Sequence, residues 1–156
     1  MARRRKAVKR PVPQDVRYNS PLIGRFISHM MTRGKKSTAQ QIIYSALDQI
    51  HDETKEDPVE FVERALDNVR PRLEVKSRRV GGATYQVPIE VSDERQVSLA
   101  LRWVIQFSRA RKGVPMGRAL AIELMDAYKN QGSAVKKRED TFKMAQANRA
   151  FAHYRW

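Results

Sequence analysis

The chain has 156 residues, enough for one modest core, and carries 31 Lys and Arg against 17 Asp and Glu, a formal net charge of +14. A compact protein with that charge repels itself unless a polyanion offsets it, so the excess reports on partners: nucleic acid first, an anionic membrane second. The absence of cysteine excludes disulfides, thiol catalysis and cysteine-ligated zinc, and 41% apolar residues are too many for a disordered tail.

No apolar run approaches the roughly 20 residues needed to span a bilayer. No apolar signal-peptide core follows the first basic residues. The chain is therefore expected to be soluble and not secreted, with no membrane among its partners.

In chain order, the first feature is a basic arm. Ala2–Pro13 holds Arg3, Arg4, Arg5, Lys6, Lys9 and Arg10 with no acid, and Pro11 and Pro13 oppose a helix. Residues 1–18 are read as an extended arm that has nothing to bury and whose charges meet phosphate; a nuclear-localisation signal would share this composition. From Ser20 the apolar residues fall at helical spacing: Leu22, Ile23, Phe26, Ile27, Met30 and Met31, with Ser20 as N-cap, Pro21 at the first helical position and Gly34 as the stop. A second helix is expected from Ser37 or Thr38, burying Ala39, Ile42, Ile43, Ala46, Leu47 and Ile50. A third is announced by Asp57-Pro58-Val59-Glu60, a capping box with proline at its first position, and buries Phe61, Val62, Ala65, Leu66 and Val69 before Pro71.

The period then shortens to two. Leu73 and Val75 alternate with charged residues, Tyr85, Val87, Ile89 and Val91 with polar ones, and Gly81-Gly82 between them suits a tight hairpin turn. Pro88 lacks an amide proton, so the ribbon should have a free edge there. A fourth helix is expected from Ser92 or Asp93 with Val97, Ala100, Leu101, Val104 and Ile105 on one face, widened by Trp103 and Phe107. After Gly113 and Pro115 a fifth carries Met116, Leu120, Leu124, Met125 and Tyr128, ending near Gly132. The last begins near Ser133, carries Val135, Phe142 and Ala145, and runs into Phe151, Tyr154 and Trp156. The fold this predicts is mainly α: one bundle of about six helices over residues 19–156, a protruding two-stranded β-hairpin inserted at about 72–91, and the basic arm over 1–18.

No catalytic arrangement emerges. His29, His51 and His153 are scattered without metal-ligand spacing, and no nucleophile elbow or phosphate-binding P-loop is present. No cofactor or metal is expected. The carboxylates Asp48, Asp52, Glu53, Glu56, Asp57, Glu60, Glu63 and Asp67 crowd one stretch against only Lys55 and Arg64, which reads as a solvated acidic patch away from the basic ends.

The bases form constellations. Arg33-Gly34-Lys35-Lys36 sits in the first inter-helix turn, where glycine allows close backbone approach, lysines supply point charges and the following helix start offers amides to a phosphate. The hairpin holds Arg70, Arg72, Lys76, Arg78 and Arg79 against Glu74, with arginine forks close to the tip. Such a ribbon can enter a widened groove or lie along a backbone; a charged edge strand that resists aggregation would explain lysines but not this arginine density. Lys136, Lys137 and Arg138 stand in the first turn of the last helix, where positive charge opposes the helix dipole by about 0.3–1 kcal/mol each, so an external anion is implied. The terminal Phe151, Tyr154, Arg155 and Trp156 combine aromatics with a base and suit either base stacking or anchorage of the tail.

Three blocks in order resemble a known family. The spacing Leu22, Phe26-Ile27, Gly34-Lys35-Lys36, Ile42-Ile43, Ala46 is the first. The run from Asn68-Val69-Arg70-Pro71-Arg72 through Lys76-Ser77-Arg78-Arg79-Val80-Gly81-Gly82 to Tyr85-Gln86-Val87-Pro88 is the second, and Ala134-Val135-Lys136-Lys137-Arg138-Glu139-Asp140 with the closing Ala150-Phe151-Ala152-His153-Tyr154-Arg155-Trp156 the third. Together they resemble the small-subunit ribosomal protein S7 (uS7) family, bacterial type, over essentially the whole chain. The resemblance implies a cytoplasmic ribosomal protein that binds 16S rRNA early and nucleates folding of the head. It further implies a place near the exit (E) site, where the hairpin approaches tRNA and messenger, with neighbouring small-subunit proteins in contact. RNA contacts then fall on the arm, on Lys35 and Lys36, and on Arg72, Lys76, Arg78 and Arg79; the E-site-facing group is Arg78, Arg79, Gly81, Gly82, Tyr85, Tyr154, Arg155 and Trp156. The competing reading is a DNA-binding regulator using the first two helices as a helix-turn-helix, but the outer face of the second (Gln40, Gln41, Tyr44, Asp48) is not basic, so no DNA is expected.

Overall fold

A computed structural model describes residues 11–154. The first four helices of the core are α1 (Pro21–Met30), α2 (Lys36–Thr54), α3 (Pro58–Val69) and α4 (Asp93–Ala110), followed by α5 (Met116–Tyr128) and α6 (Gly132–Ala147). Strands β1 (Leu73–Val80) and β2 (Ala83–Glu90) stand between α3 and α4, and a 3₁₀ helix spans Arg149–Tyr154. The six α-helices and the inserted hairpin are the architecture expected from the sequence.

Each apolar stripe turns inward. Ile23, Phe26, Ile27 and Met30 of α1 and Phe61, Val62, Ala65, Leu66 and Val69 of α3 are buried as their spacing requires. Asp57 caps α3 by accepting the Val59 N–H at 2.9 Å. Three boundaries differ from expectation, one being that α5 ends at Tyr128 while Gly132, its expected end, opens α6. Helix α1 ends at Met30 rather than Gly34, because Thr32–Lys35 form a separate turn with Gly34 at φ +75°. Helix α2 then starts at Lys36, ahead of Ser37, with Lys35 in the N-cap position and no side-chain cap.

The centre of the bundle is α5, which packs on α2, α3, α4 and α6. It does so through Leu120 and Leu124 together with Gly117, Ala119, Ala121 and Ala127, whose small side chains suit close packing of neighbouring helices. One charged residue shares that face. Glu123 is 1% exposed and accepts from Arg111 Nη2 at 2.7 Å and Nε at 3.2 Å, and from the Ala134 N–H at 3.0 Å. Arg111 also reaches Asp126 at 2.7 Å. The network ties the end of α4, the middle of α5 and the start of α6, and the hydrogen bond to Glu123 foremost, against burial, raises the Arg111 guanidinium above its ordinary value. Asn68 makes the matching tie at the other side: its amide donates to the carbonyls of Ala127 and Tyr128, both at 3.0 Å, satisfying groups that the end of α5 leaves free.

The hairpin pairs Leu73 with Glu90 through Val80 with Ala83, and the turn places Gly81 at φ +56° and Gly82 at φ +92°. Both angles are positive, the geometry of the two-residue turn that matches strand twist. Val91 N–H donates to Arg72 O at 3.0 Å. Alternation of bonded and non-bonded pairs from that point puts Pro88, opposite Val75, at a non-bonded position where its missing N–H costs the ladder nothing. The ribbon does not stand alone: β1 packs on α6, and β2 packs on α6 and the 3₁₀ helix, the support a two-stranded sheet needs.

Two further expectations are corrected. Residues 15–18 belong to the folded body rather than to an extended arm. Asp15, 4% exposed, accepts the N–H groups of Arg17 and Tyr18 and the Tyr44 hydroxyl, while Arg17 forks onto Asp48 at 2.6 and 3.0 Å. Phe142 is not on the buried face of α6 but 50% exposed, and the buried stripe there is Ala134, Val135, Thr141 and Ala145. Anchoring on Phe142 rather than Thr141 shifts the stripe by one residue, roughly 100° around a helix.

Candidate nucleic-acid interface

The first-turn lysines are presented as the sequence suggested. Arg33 and Gly34 both adopt positive φ, which folds the chain back so that Lys35 and Lys36, both exposed, stand at the start of α2. The first turn of α2 contains no acid. Its amides lack intrahelical partners, as in any helix, and the partial positive charge there adds to the lysines. An anion is the natural complement of this corner.

On the hairpin, pleating separates two adjacent arginines. Arg78 lies opposite Tyr85 and Arg79 opposite Thr84, so the two side chains leave opposite faces of the ribbon. Arg78 shares its face with Lys76, Tyr85 and Val87; Arg79 shares the other with Ser77 and Gln86, whose side chains hydrogen-bond across the strands at 3.2 Å. The ribbon tip thus carries a base on each side of an exposed Gly81-Gly82 turn. Lys76 is partly committed within the chain: its Nζ meets Glu74 at 3.1 Å, and Arg95 meets the same carboxylate at 2.9 Å. Burial alone would push the Glu74 carboxyl up, but hydrogen bonds from Lys76 and Arg95 together outweigh it and hold the pKa below its ordinary value. Arg72 is exposed at the base of β1.

The first turns of α6 divide in the same manner. Lys136 and Lys137 are exposed, whereas Arg138 reaches back across the bundle to hydrogen-bond the Asn68 carbonyl and lies 3.6 Å from Glu139. Arg138 therefore has a structural task, joining α6 to the end of α3, beside any it performs outside.

The C-terminal aromatics close onto the hairpin. Tyr85 lies 5.0 Å from Phe151 and 5.4 Å from Tyr154, centroid to centroid, the latter pair stacked, and His153 sits 4.0 Å from Tyr154. Phe151 thus anchors the tail against the ribbon. Of the candidate E-site-facing residues, Arg78, Tyr85 and Tyr154 are gathered on one side of the hairpin. Arg3, Arg4, Arg5, Lys6, Lys9, Arg10, Arg155 and Trp156 lie outside the described residues.

One basic surface escaped sequence reasoning. Arg102, Gln106 and Arg109 of α4 line a shallow depression with His29 of α1, and Arg109 donates to the Met30 carbonyl at 3.0 Å. Burial, followed by the charges of Arg102 and Arg25, lowers the His29 pKa. His29, Arg102 and Arg109 are far apart in sequence, and the local run Arg109, Arg111, Lys112 does not point to the other two; the packing of α4 against α1 assembles them.

The helix-turn-helix alternative meets an obstruction. Tyr44 and Asp48, on the face of α2 that would read DNA, are engaged by Asp15 and Arg17, and the Arg17 guanidinium lies over the Tyr18 and Tyr44 rings at 5.2 and 5.4 Å. Among the described residues no group of three or more His, Cys, Asp or Glu is arranged to hold a metal ion. No helix among them is long and apolar enough to cross a membrane.

Comparison with known proteins agrees with this geometry. Residues 2–149 match the family described as ribosomal protein S7p/S5e. The chain is 57% identical over 154 residues to the small ribosomal subunit protein uS7 of Thermotoga petrophila, covering 99% of each chain. It is 55% identical to that of Sorangium cellulosum over 156 residues, covering 100% of each, and 55% identical to that of Akkermansia muciniphila over 157 residues, again covering 100% of each. These relatives are named as ribosomal components, not as enzymes. With near-complete coverage in both directions and identity far above what shared fold alone requires, the chain belongs to the ribosomal protein S7 (uS7) family of the small ribosomal subunit.

Proposed function

We propose that this protein binds 16S rRNA directly in the cytoplasmic ribosome and nucleates folding of the head of the small subunit. In this reading it lies near the E site, its hairpin approaching tRNA and messenger, and meets neighbouring small-subunit proteins. The observation that carries the RNA reading is the segregation of charge. Lys35, Lys36, Arg72, Arg79, Lys136 and Lys137 are exposed bases, whereas the acids of the 48–67 stretch are in part consumed internally by Arg17, Arg64, Arg70 and the α3 cap. Docking is electrostatic and shape-directed, because the deep, narrow major groove of an RNA helix excludes side chains. The E-site part rests on the family resemblance together with the ribbon tip, where Arg78 and Arg79 flank two glycines that let a backbone come close.

The test is binding of the full chain to a transcript of the 16S head domain across a range of salt. Replacing Lys35, Lys36 and Arg79 with Ala should weaken binding and reduce the slope of log K against log salt by roughly 2–3, at about 0.7–0.9 per lost phosphate contact. Helicity should be unchanged, since none of the three is buried. Unchanged affinity and slope would remove these residues from the interface. Crosslinking of the hairpin tip to RNA in growing cells, followed by sequencing, tests the E-site placement: recovery of tRNA or messenger supports it, and recovery of neither overturns it.

A further inference from the structure

The groove between the base of the hairpin and α6 unites bases that are far apart in sequence. Its apolar wall is Phe142, Leu73 and Pro71, and its volume is about 470 Å³, within the range of about 300–1,000 Å³ that small ligands occupy. Arg70 and Arg72 enter from the α3–β1 junction and Arg138 and Lys143 from α6, facing two acids, Asp67 and Glu139. Each acid already has a cation: Asp67 meets Arg70 Nη1 at 3.0 Å, and Glu139 lies 3.6 Å from Arg138. The groove therefore keeps an excess of two positive charges. Arg70 Nε is buried there without a hydrogen-bond partner. Phe142 is 50% exposed, an aromatic ring lining a basic groove and half open to solvent.

We propose that this groove seats one unstacked nucleotide of an RNA strand, its base against Phe142 and its phosphate among Arg70, Arg72 and Lys143. The inference rests on the RNA-binding reading above and adds to it a residue, Phe142, and a mode, stacking. A flat aromatic face beside planar guanidinium groups suits a base and its phosphate, since every base has a π face and each phosphate accepts a fork of N–H donors. An acidic peptide would satisfy the charge but would leave the ring's face without a planar partner. Arg138, which lines the groove, directly follows the exposed Lys136 and Lys137 in α6, so the groove continues a run of bases.

The experiment compares Phe142→Leu, Phe142→Trp and the Lys35/Lys36/Arg79 triple variant in binding to the 16S head-domain transcript. Phe142→Leu keeps apolar bulk and removes the ring. It should weaken binding at least about 5-fold, the loss of one stacking contact, without altering the salt slope, because no charge is removed. Phe142→Trp should retain the affinity, and its fluorescence should be quenched on RNA addition. If Phe142→Leu binds as tightly as the parent while the triple variant is weakened, the groove assignment fails and the RNA reading stands. If Phe142→Leu binds the transcript normally but fails to enter subunits with their proteins, the groove seats a protein and the proposal is overturned. If the parent chain itself does not bind the transcript, the RNA reading fails and the groove proposal with it. Melting temperatures matching the parent exclude misfolding as the cause of any loss.

Discussion

Removal of Arg111 should be among the most damaging single changes outside the apolar core. Its guanidinium is 33% exposed, but its partner Glu123 is 1% exposed and receives two of its hydrogen bonds from Arg111. Arg111→Ala leaves that carboxylate in the interior with the Ala134 N–H still donating to it. Breaking a buried pair by deleting one member costs about 3–5 kcal/mol. Water can reach the vacated arginine site, and Asp126, 38% exposed, is readily resolvated, so the lower figure of about 3 kcal/mol applies. For a chain of this length each kcal/mol lowers the melting temperature by about 2–4 °C, giving a fall of roughly 6–12 °C. Thermal unfolding followed by circular dichroism measures it. Adding Glu123→Gln to Arg111→Ala removes the orphaned charge, so the double variant should be no less stable than Arg111→Ala alone. An Arg111→Ala melting point within about 2 °C of the parent, or a double variant that falls by the sum of the two single losses, would refute the view that Glu123 is a buried charge held by Arg111.

Two other outcomes follow from single contacts. A Cβ at Gly24 would lie 2.3 Å from the Pro13 carbonyl oxygen, so Gly24→Ala must push the preceding segment off α1, at about 1–3 kcal/mol. Hydrogen exchange should then accelerate at Arg17 and Tyr18, whose N–H groups bond Asp15, and unchanged protection there would show that the segment yields without leaving. Glu74, 13% exposed, has a folded-state pKa held below its ordinary 4.5. Its contribution is therefore fully present above that value and is lost as pH falls through the depressed folded pKa. The melting-temperature advantage of the parent over Glu74→Gln should stand at pH 7 and shrink as the solution is acidified below the ordinary carboxyl value; an advantage that does not shrink with acid would assign the loss to packing instead of charge.

The sequence by itself determined what depends on near neighbours along the chain. Helices α1 and α3 and the hairpin were legible because their apolar periods, Pro21, Asp57-Pro58 and Gly81-Gly82 each act within a few residues. The exposed lysines of the first turn and of α6 were legible because charge clusters on the surface survive any packing arrangement. What only the tertiary structure decided is which face of a weakly patterned helix turns inward and what meets across it. Helix α5 buries alanines that carry little apolar signal, and Glu123 is buried because Arg111, twelve residues earlier, is brought against it. Phe142 faces out because α6 is rolled by the smaller Ala134, Thr141 and Ala145 packing against the bundle. Arg138 is turned inward by the Asn68 carbonyl, seventy residues away. Arg78 and Arg79, neighbours in sequence, part to opposite faces of the ribbon, while Arg72 and Arg138, far apart in sequence, converge on one groove. Local patterns set elements and their exposed charges; the distances between charges, and hence the shape offered to a strand of RNA, exist only once the helices have packed.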